Sequence, residues 1–138
     1  KEELYALYEV CMEEVVKVHG LEARTLLSIL QKDVIPSVIK EINLASQAAK
    51  LVESQALTSH LEKLTRGLDR LYQEKEALKS KLDTCKKLAS IDEKADYLQG
   101  EVVEELKKIR EISDGLEEEI SRENWSLPSY EDLFNSVM

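Results

Sequence analysis

The run Leu57-Thr58-Ser59-His60-Leu61-Glu62-Lys63-Leu64-Thr65-Arg66-Gly67-Leu68-Asp69-Arg70-Leu71 opens the stretch that decides the fold. From Leu57, apolar residues recur at Leu61, Leu64, Leu68, Leu71, Leu78, Leu82, Cys85 and Leu88 in steps of three and four, broken only by Lys75. Such spacing is a heptad seam, the stripe one helix lays against another. The following segment repeats it with Ile91, Ala95, Leu98, Val102, Leu106, Ile109, Ile112, Leu116 and Ile120, leaving Glu, Lys and Arg on the opposite face. Between the two, Ser90-Ile91-Asp92-Glu93 offers a capping box, and Ser59 with Glu62 offers another at the preceding start. A short connection makes joined helices antiparallel, so the pair reads as a hairpin about 45 Å long at 1.5 Å per residue.

Working back from the hairpin, the first fifty residues or so are also helical in pattern. Leu4, Leu7, Cys11, Val15 and Val18 form one stripe; Leu26, Leu30, Val34, Val38, Ile42, Ala45, Ala49 and Val52 form another. Pro36 removes an amide and crowds the carbonyl of Lys32, which predicts a kink. A break at Gly20 is the alternative, since His19-Gly20 also fits a helix C-terminus. The expected fold is all-α: an antiparallel three-helix bundle over residues 1–124, with helices at about 2–53, 59–88 and 91–122. The first helix, kinked and ~75 Å long, overhangs the ~45 Å hairpin. Its leading apolar residues Leu4, Leu7 and Val15 then need another surface. Residues 125–138 form a short aromatic docking tail.

Composition narrows the function classes. The chain has 138 residues, 28 acidic and 19 basic, for a formal charge of −9. A nucleic-acid binder would carry a basic face to meet phosphates. No apolar run reaches the ~18 residues of a membrane span, and no leader of signal-peptide type is visible, so a soluble cytoplasmic protein is expected. Cys11 and Cys85 both fall at apolar positions and read as reduced core thiols. His19 and His60 lack partners at metal-ligand spacing and read as surface or capping residues. Glu13-Glu14, Glu104-Glu105 and Glu117-Glu118-Glu119 point around their helices and read as solvated faces. The glycines are scattered singly and make no phosphate-cradling loop. No nucleophile motif is present.

The C-terminal stretch Trp125-Ser126-Leu127-Pro128-Ser129-Tyr130-Glu131-Asp132-Leu133-Phe134 holds the only Trp and the only Phe of the chain. Ordering about ten residues costs on the order of 1–2 kcal/mol each; burying Trp125, Tyr130, Leu133 and Phe134 returns roughly 1.5–3 kcal/mol apiece. The sums are similar, so the tail needs a matching groove. It closes on a pattern similar to W-P-x-P-x-Y-x-D/E-L-L-F, with Ser126 in place of Pro and Phe134-Asn135 in place of Leu-Phe. A second block runs Gly20-Leu21-Glu22-Ala23-Arg24-Thr25-Leu26-Leu27 and on to Asp33-Val34-Ile35-Pro36-Ser37-Val38-Ile39.

Together these blocks resemble the C-terminal region of type III glutamine synthetases, the large bacterial form of that enzyme. The resemblance implies an enzyme of nitrogen metabolism, a glutamate–ammonia ligase using ATP and divalent magnesium. It implies catalytic motifs upstream of this region, and no catalytic, cofactor or metal residue within it. Lys1 enters a helical pattern at once, which agrees with an upstream domain. The implied partners are the catalytic domain of the same chain and neighbouring subunits of a homo-oligomer. The candidate contact residues are Glu22, Arg24, Trp125, Pro128, Tyr130, Leu133 and Phe134. For Glu22 and Arg24 a helix-surface salt bridge is the plain reading, and a bidentate pair from Arg24 to a carboxylate on another domain the sharper one. For Trp125 the plain reading is a staple on its own bundle. A free-standing, spectrin-like three-helix scaffold, acting as a spacer or a protein-interaction module, is the rival to the whole assignment.

Overall fold

The computed structural model describes residues 1–125 and 127, and Ser126 and residues 128–138 lie outside it. Among the described residues the chain is all-helical, in three helical runs that make a helical bundle. The first run is α1 (Glu2–Ile29), a π-helical turn at Leu30–Val34, and α2 (Ile35–Leu51). The second is α3 (Gln55–Lys86). The third is α4 (Ile91–Tyr97), a π turn at Leu98–Val102, and α5 (Val103–Glu119).

Gly20 does not break the first run: it lies inside α1 with ordinary helical backbone. Pro36 is accommodated by the wide turn before it. The Ile35 amide donates to the Leu30 carbonyl five residues back, and the Ser37 hydroxyl donates to the Asp33 carbonyl at 2.7 Å. The wide turn thus keeps the carbonyls of Leu30 and Asp33 engaged on either side of the position where the proline lacks an N–H. The second π turn contains Gly100, and there the Val103 amide is shared between the carbonyls of Gly100 and Leu98.

Helix starts follow side-chain caps. Ser90 accepts from the Glu93 amide at 3.1 Å, as its spacing predicts. The start of α3 differs from expectation: Ser54, not Ser59, is the cap, its hydroxyl oxygen accepting from the Leu57 amide at 3.4 Å. The helix therefore begins at Gln55, and Ser59 lies within it.

The chain forms two compact units, Lys1–Leu27 with Glu74–Ile109, and Ser28–Gln73 with the chain from Arg110 onward. In the first, Ala23, Leu78, Cys85, Ala95, Leu98, Val102, Leu106 and Ile109 are buried. In the second, Leu30, Val34, Ile35, Val38, Ala45, Leu64, Leu71, Ile112, Leu116 and Ile120 are buried. Close approach in the second unit depends on Gly67, where a Cβ would run into the Leu116 side chain. Core positions are not all apolar. Lys75, at the break in the seam, is 8% exposed, and Glu41 and Glu105 are 7% and 1% exposed.

Two expectations are corrected here. Cys11 is exposed and only Cys85 is buried, because the leading half of α1 has no apolar cover within its unit. Glu105 is not solvated: it follows Val102 by three and precedes Ile109 by four, which turns it to the apolar side of its helix.

Candidate functional site

The feature that most needs explaining is α1, 28 residues long, whose one buried residue is Ala23. Leu4 is 72% exposed and Leu7 60%, and Tyr5, Tyr8, Val10, Val18 and Leu21 are exposed too. Glu2 and Glu3 in the first turn favour the helix through its dipole, and Tyr8 donates to Asp92 at 3.0 Å. That bond and the aspartate charge push the Tyr8 phenol above its usual value. The apolar positions are thus presented on formed helix, and such patches mark docking surfaces in soluble proteins.

In the same unit, a cleft of about 360 Å³ runs beside the second half of α1. Its floor is apolar, from Val16, Leu27, Leu82 and Leu98, with the buried thiol of Cys85. Its rim is cationic: Arg24, Lys79, Lys86 and Lys94 against the single acid Asp83. In a chain whose formal charge is −9, this is a local reversal of sign. Burial raises the Cys85 thiol despite nearby Lys94, so it stays protonated and packs as a small hydrophobe.

The structure separates the two residues of the sequence block. Glu22 lies 3.6 Å from His19, one turn back on the same helix. Arg24 folds back along α1 at the mouth of the cleft, its guanidinium nitrogens 3.9 Å from where a Cβ on Gly20 would sit. Among the described residues no carboxylate reaches Arg24 within ion-pair distance. Glu22 and Arg24 do not pair with each other, for residues two apart on a helix face away from each other; the helix-surface contact of this block is Glu22 with His19.

In the second unit, the chain leaving α5 is tied down by a carboxylate. Glu41 accepts from Ser121 at 3.0 Å and from Asn124 at 2.7 Å, both at Oε2. Its Oε1 lies 3.6 Å from His60 Nε2, and the other nitrogen of that ring is 3.1 Å from Glu119. Lys63 lies 3.6 Å from the same Glu119 carboxylate. Burial pushes the Glu41 carboxyl up, but the bonds from Asn124, Ser121 and His60 outweigh it and hold it below the usual carboxylate range. His60 and Glu119 are thus parts of a polar clasp, not the bland surface residues their sequence context suggests.

The clasp sets the root of the tail. The Trp125 amide donates to the Ser121 carbonyl at 3.1 Å. The Trp125 ring is half-buried, and its indole nitrogen is buried without a hydrogen-bond partner among the described residues. Pro128, Tyr130, Leu133 and Phe134 lie outside the described residues. Sequence reasoning missed Glu41 and the cleft lysines. Glu41 had a signal, since it stands between Val38 and Ala45 on the apolar stripe; Lys79, Lys86 and Lys94 had none.

No group of His, Cys, Asp and Glu among the described residues could hold a metal ion. No helix among them is long and apolar enough to cross a membrane. Comparison with known protein families, curated proteins and solved structures gives no match.

Proposed function

We propose that this chain is the C-terminal assembly domain of a type III glutamine synthetase, supporting the ligation of ammonia to glutamate without taking part in the chemistry. The observation that carries the reading is α1, a formed helix with one buried residue and seven large apolar side chains in solvent. Each of these returns roughly 1.5–3 kcal/mol when fully covered, so a catalytic domain or neighbouring subunit seated on α1 gains a large apolar contribution. In this reading the first helix bends at its π turn, packs antiparallel to its neighbour and projects its leading turns toward the larger body. The tail, rooted at the Glu41 clasp, makes the second contact. Arg24, which meets no carboxylate among the described residues, is available to a partner carboxylate.

The parent enzyme uses ATP and divalent magnesium bound elsewhere in the cytoplasmic oligomer, and the domain alone is inert. The two sequence blocks support this family; a free-standing scaffold or protein-interaction module accounts for the heptads and for the exposed residues of α1 but not for those two blocks. The test is a coupled assay with glutamate, ammonia and ATP on the full-length protein, beside a version ending before Asn124. Glutamine formation by the first and loss of assembly in the second support the proposal. No glutamine overturns the family assignment, and intact assembly without the tail overturns the anchoring role.

A further inference from the structure

We infer that the cationic cleft of the first unit receives the C-terminal segment Tyr130-Glu131-Asp132-Leu133-Phe134 of a neighbouring copy of the chain. This deepens the assembly reading and rests on it. Three observations converge. The cleft volume, about 360 Å³, is at the small end of ligand pockets, which span roughly 300–1,000 Å³, so it accepts side chains and not a helix. Its rim carries Arg24, Lys79, Lys86 and Lys94 against Asp83, over a floor of aliphatic carbon. The segment supplies the complement: Glu131 and Asp132 flanked by Tyr130, Leu133 and Phe134, with no basic residue from Ser126 to Met138.

Recognition follows from these parts. Phe134 and Leu133 fill the floor and exclude water, the usual role of an aromatic anchor in a pocket. Glu131 and Asp132 meet the rim, where the planar guanidinium of Arg24 takes a carboxylate in bidentate fashion. Removing competing water strengthens those pairs, and their sign rejects segments that lack the acids. The donor of the segment is fixed at its own root, since Ser121 and Asn124 bind Glu41. A segment held at one end loses less freedom on docking than a free peptide.

The test uses the full chain in two variants. Arg24→Glu damages the cleft and leaves the segment intact; Glu131→Lys with Asp132→Lys damages the segment and leaves the cleft intact. Arg24 is exposed, so the helical signal in circular dichroism stays unchanged. The wild-type chain self-associates by sedimentation velocity, and each variant alone does so about ten- to a hundredfold more weakly. Mixing the two restores association, because one variant's intact segment meets the other's intact cleft only in trans. A monomeric wild type, variants that assemble as well as wild type, or a mixture that stays dissociated each overturn the inference. If the mixture fails while the full-length protein still assembles and makes glutamine, the domain reading stands and only the cleft assignment falls.

Discussion

Replacing Glu41 with Gln isolates the charge of the clasp from its shape. A glutamine can set its carbonyl oxygen where Oε2 accepts from Ser121 and Asn124, so both bonds persist but become neutral. Hydrogen bonds to a charged group contribute about 1.5–3 kcal/mol against about 0.5–1.5 for neutral ones. Two such bonds imply a gross loss of roughly 2–3 kcal/mol, offset in part by not burying a charge. The carboxyl is held below its usual range although burial pushes the other way, so the bonds win, and the expected net loss is about 1–2 kcal/mol at neutral pH. With a urea slope near 2 kcal/mol/M, the midpoint falls by about 0.5–1 M.

Trp125, the only tryptophan, is next to Asn124 and reports unfolding of this region by fluorescence. The effect is pH-dependent in a fixed direction. A carboxyl lowered on folding stabilises fully above its unfolded value, and the contribution is lost as pH falls through the ordinary carboxylate range to the lower folded value. The variant and the wild type therefore converge in acid. A midpoint at pH 7 unchanged by the substitution, or a difference that grows on acidification, would refute the reasoning.

Glu105 predicts the opposite. Burial and neighbouring Glu74 raise its carboxyl although Lys81 and Lys108 draw it down, so its charged form strains the fold, and this cost appears as pH rises through the raised value. Glu105→Gln should stabilise the chain at pH 7 and have little effect in acid, with thermal melts at the two pH values as the check. Leu71→Ala, at a fully buried seam position, should cost about 2–5 kcal/mol, measured by urea unfolding; Leu4→Ala in the chain alone should cost nearly nothing. Gly67→Leu should destabilise strongly, because even a Cβ there meets Leu116, whereas Gly115→Ala, facing open space, should stabilise by up to about 1 kcal/mol through helix propensity.

Periodicity made the helices legible. Leu64, Leu71, Leu78 and Cys85 are all buried, because a seam repeating every three and four residues has one way to leave water. Of the interruptions only Lys75 is read from the letters; Glu41 and Glu105 also stand on an apolar stripe, but sequence reasoning passes over the first and places the second on a solvated face. The partners were not legible, since Glu41 is met by Ser121 and Asn124, 80 and 83 positions on. The π turn had a trace in Leu26, Leu30, Val34 and Val38: successive steps of four overshoot an α-helical turn by about 40° each, a drift that a wider turn corrects. The expectation of a kink rested on Pro36 alone; what the structure places there is the π turn at Leu30–Val34. Ser59 was favoured as a cap because Glu62 completes a box, but Ser54 lies nearer the end of α2 and captures the start first. The cleft could not be read in advance, because its lysines become neighbours of Arg24 only through packing.

The central claim is that the bare face of α1 is a docking surface in a glutamine-forming oligomer. Its most direct test is the mass of the full-length protein by sedimentation, wild type against Leu4→Ser with Leu7→Ser and Val10→Ser. These side chains are exposed in the chain alone, so the substitutions leave its helical signal intact. The account predicts that the variant falls to smaller species and loses glutamine formation in parallel. An oligomer of unchanged mass and activity would contradict it.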